Sequence, residues 1–184
     1  ALEDVDAALK LNPEMPEALR ARAMLLAGTG NITGAIGDLE QLKKIETKDA
    51  DVLLQLGMLY YANSQMEQAV QAFTTLLKQQ PGDPVAHRAR ADAYLMLGKH
   101  AEAVADYDLA LKASPDDTHI LNNLAWVLAT SPDEEVRDGK RAIKLAEHGC
   151  ELTEYKQAHI VSTLASGYAE TGDFKNAVNW SQKA

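Results

Sequence analysis

The chain has 184 residues, 46% of them hydrophobic and only 5% aromatic, a mixture rich in Ala and Leu that leans helical and away from all-β architectures. A formal charge of −9, with no Lys/Arg cluster, argues against a phosphate backbone as ligand, so no nucleic-acid partner is expected. The longest charge-free stretches, such as 52–66 and 118–132, run only 15 residues. That is short of the roughly 18–20 apolar residues that span a bilayer, so no membrane insertion is expected.

Taken in chain order, the pattern starts with a lone helix over 1–15, carrying Ala1, Val5 and Ala8 and stopping at Pro13. A unit over 16–49 follows, with Leu19, Arg22, Ala23, Leu26, Ala35, Leu39, Leu42 and Thr47 at fixed offsets. Shifted by 34 residues, the same offsets in 50–83 hold Leu53, Leu56, Gly57, Tyr60, Ala69, Phe73, Leu76 and Pro81. In 84–117 they hold His87, Arg90, Ala91, Tyr94, Ala103, Tyr107, Ala110 and Pro115. In 118–157, Leu121, Leu124, Ala125 and Leu128 keep the register, which then slips so that the matching alanine is Ala142. The last unit, 158–184, is truncated and shows Leu164, Ala165, Tyr168 and Ala177. One position is alanine throughout: Ala1, Ala35, Ala69, Ala103, Ala142 and Ala177.

Within each unit the apolar residues recur at helical spacing, twice over, and so predict two amphipathic helices. Leu53, Leu56 and Tyr60 form one face with Gly57, and Tyr60 is expected in the core. Small residues such as Gly57 and Ala69 fall where two helices cross closely. Gly30, Gly98 and Gly172 mark the turns inside hairpins, and Pro81-Gly82-Asp83 and Pro115-Asp116-Asp117 mark the turns between them. In the fourth unit the inner turn swells to 130–139, opened by Pro132 and closed by Gly139. It reads as an exposed connection in which Ser131 caps a short helical turn, or as an acidic docking knob; it lacks the alternating ligands of a calcium loop.

These residues resemble the tetratricopeptide repeat family, whose pattern runs Leu-Gly, Tyr, Ala, Phe, Ala and Pro at these offsets, most closely in 50–83. The resemblance implies an all-α, right-handed superhelical solenoid of antiparallel helix-turn-helix hairpins over residues 1–184. Arg22 and Arg90 stand where the family has Leu, and Thr47 stands where it has Pro. The fourth unit also resembles a variant common in large multidomain bacterial repeat proteins.

Catalytic chemistry is not legible. The Gly-rich stretch 28–34 has neither the preceding strand nor the Lys-Ser/Thr of a nucleotide loop. None of His87, His100, His119, His148 and His159 has metal-ligand spacing, although His119 and His159 occupy equivalent positions one unit apart. No nucleophile–base pairing stands out, so neither enzymatic activity, cofactor nor metal is expected. Cys150 alone cannot form an internal disulfide and fits a reducing compartment, which favours the cytoplasm. The chain begins at Ala1 without a signal-peptide pattern and reads as a piece of a larger protein.

The resemblance further implies a concave groove lined by the first helix of each hairpin. The implied positions are Arg20, Met24, Leu54, Gln55, Met58, Tyr61, Arg88, Asp92, Leu95, Met96, Asn122, Asn123 and Trp126. They suit an unidentified peptide or protein segment, with Met and Leu as an adaptable floor and Arg88, Asn122 and Asn123 as polar contacts. The family's two-carboxylate chaperone clamp is not expected, since Asp92, His159 and Thr163 replace residues it needs. The expected function is a non-catalytic interaction scaffold. The alternative is a structural spacer, or a segment that self-associates through its open ends.

Overall fold

The computed structural model describes residues 1–184, which form eleven α-helices and no strand. They fall into two compact units, Ala1–Pro81 and Gly82–Ala184. In the first are α1 (Leu2–Leu11), α2 (Pro16–Gly28), α3 (Ile32–Ile45), α4 (Ala50–Ala62) and α5 (Met66–Gln79). In the second are α6 (Pro84–Met96), α7 (His100–Ala113), α8 (Thr118–Thr130), α9 (Gly139–Leu152), α10 (Ala158–Glu170) and α11 (Phe174–Ser181).

The hairpins start and stop for local reasons. Asp49, Asp83 and Asp117, spaced one period apart, each accept hydrogen bonds from two backbone N–H groups at the start of α4, α6 and α8. Each such cap contributes about 1 kcal/mol. Asn31, Asp138 and Asp173 do the same for α3, α9 and α11 through a single N–H. The turn inside each regular hairpin passes through positive φ: 82° at Gly30, 69° at Gly98 and 79° at Gly172. Ser64 holds the same turn position in the second hairpin at φ 58°, without glycine's freedom.

In the first unit the core gathers Leu9 of α1, Leu19 and Ala23 of α2, Leu39 and Leu42 of α3, and Val52 and Leu56 of α4. Phe73 of α5 is fully buried and lies against Gly57, whose missing side chain admits the ring. In the second unit Tyr107, Ile120, Leu124, Ala146, Cys150, Ile160 and Leu164 form a continuous core. The recurrent alanine is fully buried at Ala35, Ala69, Ala103 and Ala142. Ala1 is exposed and Ala177 only half-buried, because neither is enclosed between packed helices.

The packing adds detail at Tyr60, Arg22 and Arg90. Tyr60 is half-buried at the core's margin, where its hydroxyl donates to Glu40 Oε1 at 2.5 Å. Burial and the Glu40 carboxylate push its phenol pKa well up. Arg22 and Arg90 do not disturb the packing, because each forms a forked pair with a buried carboxylate of the following helix. Arg22 donates to both oxygens of Asp38 at 2.8 and 2.7 Å, and Arg90 to both of Asp106 at 2.6 and 2.8 Å. His87 Nδ1 also lies 2.9 Å from Asp106.

The swollen turn over 130–139 bends at Pro132 and Asp133 and then makes one hydrogen-bonded turn, in which Val136 N donates to Asp133 O and Arg137 N to Glu134 O, each at 3.2 Å; its exposed tip runs from Pro132 to Glu135. Its ends are anchored. Ser131 is buried, accepts from Asp133 N at 3.2 Å and lies 2.8 Å from His100 Nδ1. Arg137 donates to Ser131 O at 3.0 Å and to Glu170 at 2.9 Å. The Ser131 hydroxyl thus meets both a backbone N–H of its own turn and the His100 ring.

Candidate functional site

In the first unit, Met24 of α2 comes together with Leu54, Gln55 and Met58 of α4 around an open groove of about 470 Å³. Ala23, Ala27 and Leu59 complete its walls, with buried Leu39 of α3 beneath. The inward faces of α2 and α4 are taken up by Leu19, Val52, Leu53 and Leu56, so the methionines are left on the surface they share. Met24 is 66% exposed and Met58 38% exposed, large apolar side chains held in water. Their unbranched thioether chains adapt to irregular apolar surfaces.

Arg20 sits on the same helix but is committed elsewhere. Its guanidinium donates to Glu46 and Asp49, each at 2.7 Å, and the Asp49 hydrogen bond leads in raising its pKa further. The effect is to hold the start of α4 beside the N-terminal half of α2. Tyr61 is half-buried one turn beyond Met58.

The second unit's positions form a network instead of a groove. Asp92 accepts from Tyr107 Oη at 2.5 Å and from Asn123 Nδ2 at 3.2 Å, and His119 Nε2 stands 3.9 Å from its other oxygen. Asn122 donates to Asn123 at 3.1 Å and accepts from Thr163 Oγ1 at 2.8 Å. These polar groups satisfy one another and tie α6, α7, α8 and α10 together. His119 therefore faces Asp92 and Asn123, while His159 is exposed at the start of α10. Leu95 packs against the core, Arg88 is half-exposed, and Met96 and Trp126 are 62% and 46% exposed.

Cys150 is fully buried, and burial, with Glu147 and Glu151 nearby, pushes its thiol up to about 11. No three His, Cys, Asp or Glu side chains converge to hold a metal ion, and no helix is long and apolar enough to cross a membrane. Sequence reading missed the two Arg–Asp pairs. Their signal was an Asp 16 residues after each Arg, where the intervening unit has Leu56 followed by Ala72.

Helical hairpins with a shared register and small residues at their crossings define a helical repeat protein. A tetratricopeptide repeat model matches residues 1–49 and 54–118, and the chain belongs to that family. It is 29% identical over 87 residues to the peroxisomal targeting signal receptor of Candida glabrata, covering 47% of this chain and 15% of that protein. It is 25% identical over 116 residues to small glutamine-rich tetratricopeptide repeat-containing protein 2 of Mycosarcoma maydis, covering 63% and 33%. The chain thus spans a third or less of the length of these curated relatives.

Among solved structures, MamA from Desulfovibrio magneticus RS-1 superposes with a TM-score of 0.82 at 18% identity, covering 91% of this chain and 92% of that one. YrrB, described as a TPR protein with an unusual peptide-binding site, gives 0.82 at 16% identity, covering 100% and 91%. Identities this low establish the fold, an all-helical tetratricopeptide solenoid, and leave the ligand to be argued from this chain's own residues.

Proposed function

We propose that this chain is a non-catalytic scaffold that holds a peptide or protein segment in the groove between α2 and α4. The observation that carries the reading is the pair of exposed methionines, Met24 and Met58, flanking Leu54 over an apolar floor. Exposed apolar surface of this kind is unfavourable unless something covers it. YrrB supplies a precedent for peptide binding on this fold, and the peroxisomal receptor and the Mycosarcoma protein place related repeats in larger proteins. In the second unit, taken by itself, Arg88, Met96 and Trp126 are candidate positions that stay at least partly exposed in this reading.

The test is a selection of displayed peptides on the immobilised chain, followed by binding isotherms with Met58→Glu and Trp126→Glu variants. A charge at Met58 is expected to weaken the selected peptides at least about tenfold, as for a central apolar contact. Unchanged affinity in Met58→Glu with an unchanged melting temperature overturns the groove.

A second reading is self-association, favoured by Phe174 and Val178 of α11, which are 68% and 56% exposed, and by Leu11, which is 90% exposed. Sedimentation across a wide concentration range decides it. Monomers throughout remove it.

A further inference from the structure

The groove's apolar floor is paired with charge at one end. Glu17 and Met24 lie seven residues apart on α2, and Asp51 and Met58 lie seven apart on α4, so each acid shares a helix face with its methionine about 10 Å away along the axis. Arg20, by reaching Glu46 and Asp49 immediately before α4, fixes the N-terminal ends of α2 and α4 side by side. Both acids are therefore at the same end of the groove. Glu17 and Asp51 are exposed, and Arg20, one turn along α2 from Glu17, is already held by two other carboxylates.

Acids in the first turn also complement the helix dipole, which would account for them without a ligand. That explanation does not fit the register. The same position in the second unit is Val85 in α6, His119 in α8 and His159 in α10, none of them an acid. Acid and methionine occur together in α2 and α4. Where the methionine position is instead Asp92 or Trp126, the acid is absent.

Resting on the groove reading above, we infer that the segment held between α2 and α4 is amphipathic and basic at one end. Its large apolar side chains sit between Met24 and Met58, and one or two Lys or Arg residues lie about two helical turns away, facing Glu17 and Asp51. The floor supplies affinity by burying apolar surface, and the acids supply orientation, because reversing the segment leaves its cations without partners. The chain's excess of negative charge steers such a segment in the same sense.

The experiment uses three fluorescein-labelled peptides with one common Leu/Phe core, flanked at one end by two Lys, two Gln or two Glu residues, and measures anisotropy against the full chain. The Lys-flanked peptide is expected to bind about tenfold more tightly than the Glu-flanked one at about 50 mM salt, and that ratio should shrink toward unity at about 0.5 M. Glu17→Gln with Asp51→Asn should abolish the ratio while leaving the Gln-flanked peptide unchanged. Met58→Glu should weaken the Gln- and Glu-flanked peptides at least about tenfold.

If the Glu-flanked peptide binds as well as the Lys-flanked one, or if the ratio survives in the double variant, the basic-segment inference fails and the groove stands. If no peptide binds, or if Met58→Glu leaves the Gln-flanked peptide unaffected, the groove reading itself fails.

Discussion

Phe73 presses its ring onto the backbone of Gly57 so closely that a β-carbon at position 57 would lie 2.7 Å from both Cδ1 and Cζ of the ring. The ring is fully buried and has nowhere to retreat. Gly57→Ala gains about 1 kcal/mol of helix propensity, yet overpacking of this kind costs about 1–3 kcal/mol or more. The variant is expected to unfold at lower urea concentration, and Phe73→Leu should be less damaging in the Gly57→Ala background than alone. A double-mutant cycle by urea unfolding measures that coupling; strict additivity would break the proposed contact.

Ser64 occupies a left-handed turn that glycine fills at the corresponding positions Gly30 and Gly98. Its φ of 58° carries a steric cost that glycine lacks, partly offset by glycine's greater freedom in the unfolded chain. Ser64→Gly should therefore stabilise by about 0.5–1 kcal/mol, and Gly98→Ser should destabilise by a similar amount. Paired thermal melts check both signs.

Asp38 is buried and held by Arg22 through a forked pair, so Asp38→Ala removes two charge-assisted hydrogen bonds from a guanidinium that keeps only Asp6, at a cost of about 2 kcal/mol. Replacing both as Arg22→Leu and Asp38→Ala reproduces the pairing seen at Leu56 and Ala72, and is expected to recover much of the loss. If the double variant is no more stable than Asp38→Ala, the two positions do not act as an exchangeable pair.

Cys150 is expected to resist thiol reagents at pH 8, because a thiol held near 11 is almost entirely protonated and is shut away from solvent. Its native pKa is raised, so the protonated thiol's contribution to stability is complete below the unfolded pKa near 9 and is lost as pH rises toward about 11. Labelling with a chromogenic disulfide should be slow in buffer and fast in urea. Rapid labelling of the folded chain would contradict the buried placement.

Much of the fold was legible because a repeat states its pattern several times. The 34-residue offset, the alanine position and the glycine turns each recur, so a departure in one unit does not hide the rule. The Asp caps at 49, 83 and 117 recur as strictly, and Ser64 was masked only because its residue type does not advertise the turn it makes. Tyr60 illustrates the opposite limit. Periodicity assigns a face, but how deeply that face is covered depends on the neighbouring helix, here on Glu40 reaching the hydroxyl.

The sequence by itself determined the helical hairpins and their order, since these follow from local spacing and backbone chemistry. Only the tertiary structure decided which of the candidate positions remain available. Gly57 is required because Phe73 comes from another helix, and Arg22 and Arg90 are tolerated because carboxylates arrive from the helix that follows. Asp92, Asn122 and Asn123 are occupied by one another and by Tyr107 and Thr163, whereas Met24 and Met58 are left facing water. Spacing along one helix cannot foretell such pairings, because hydrogen-bond satisfaction and exposure depend on what the other helices bring.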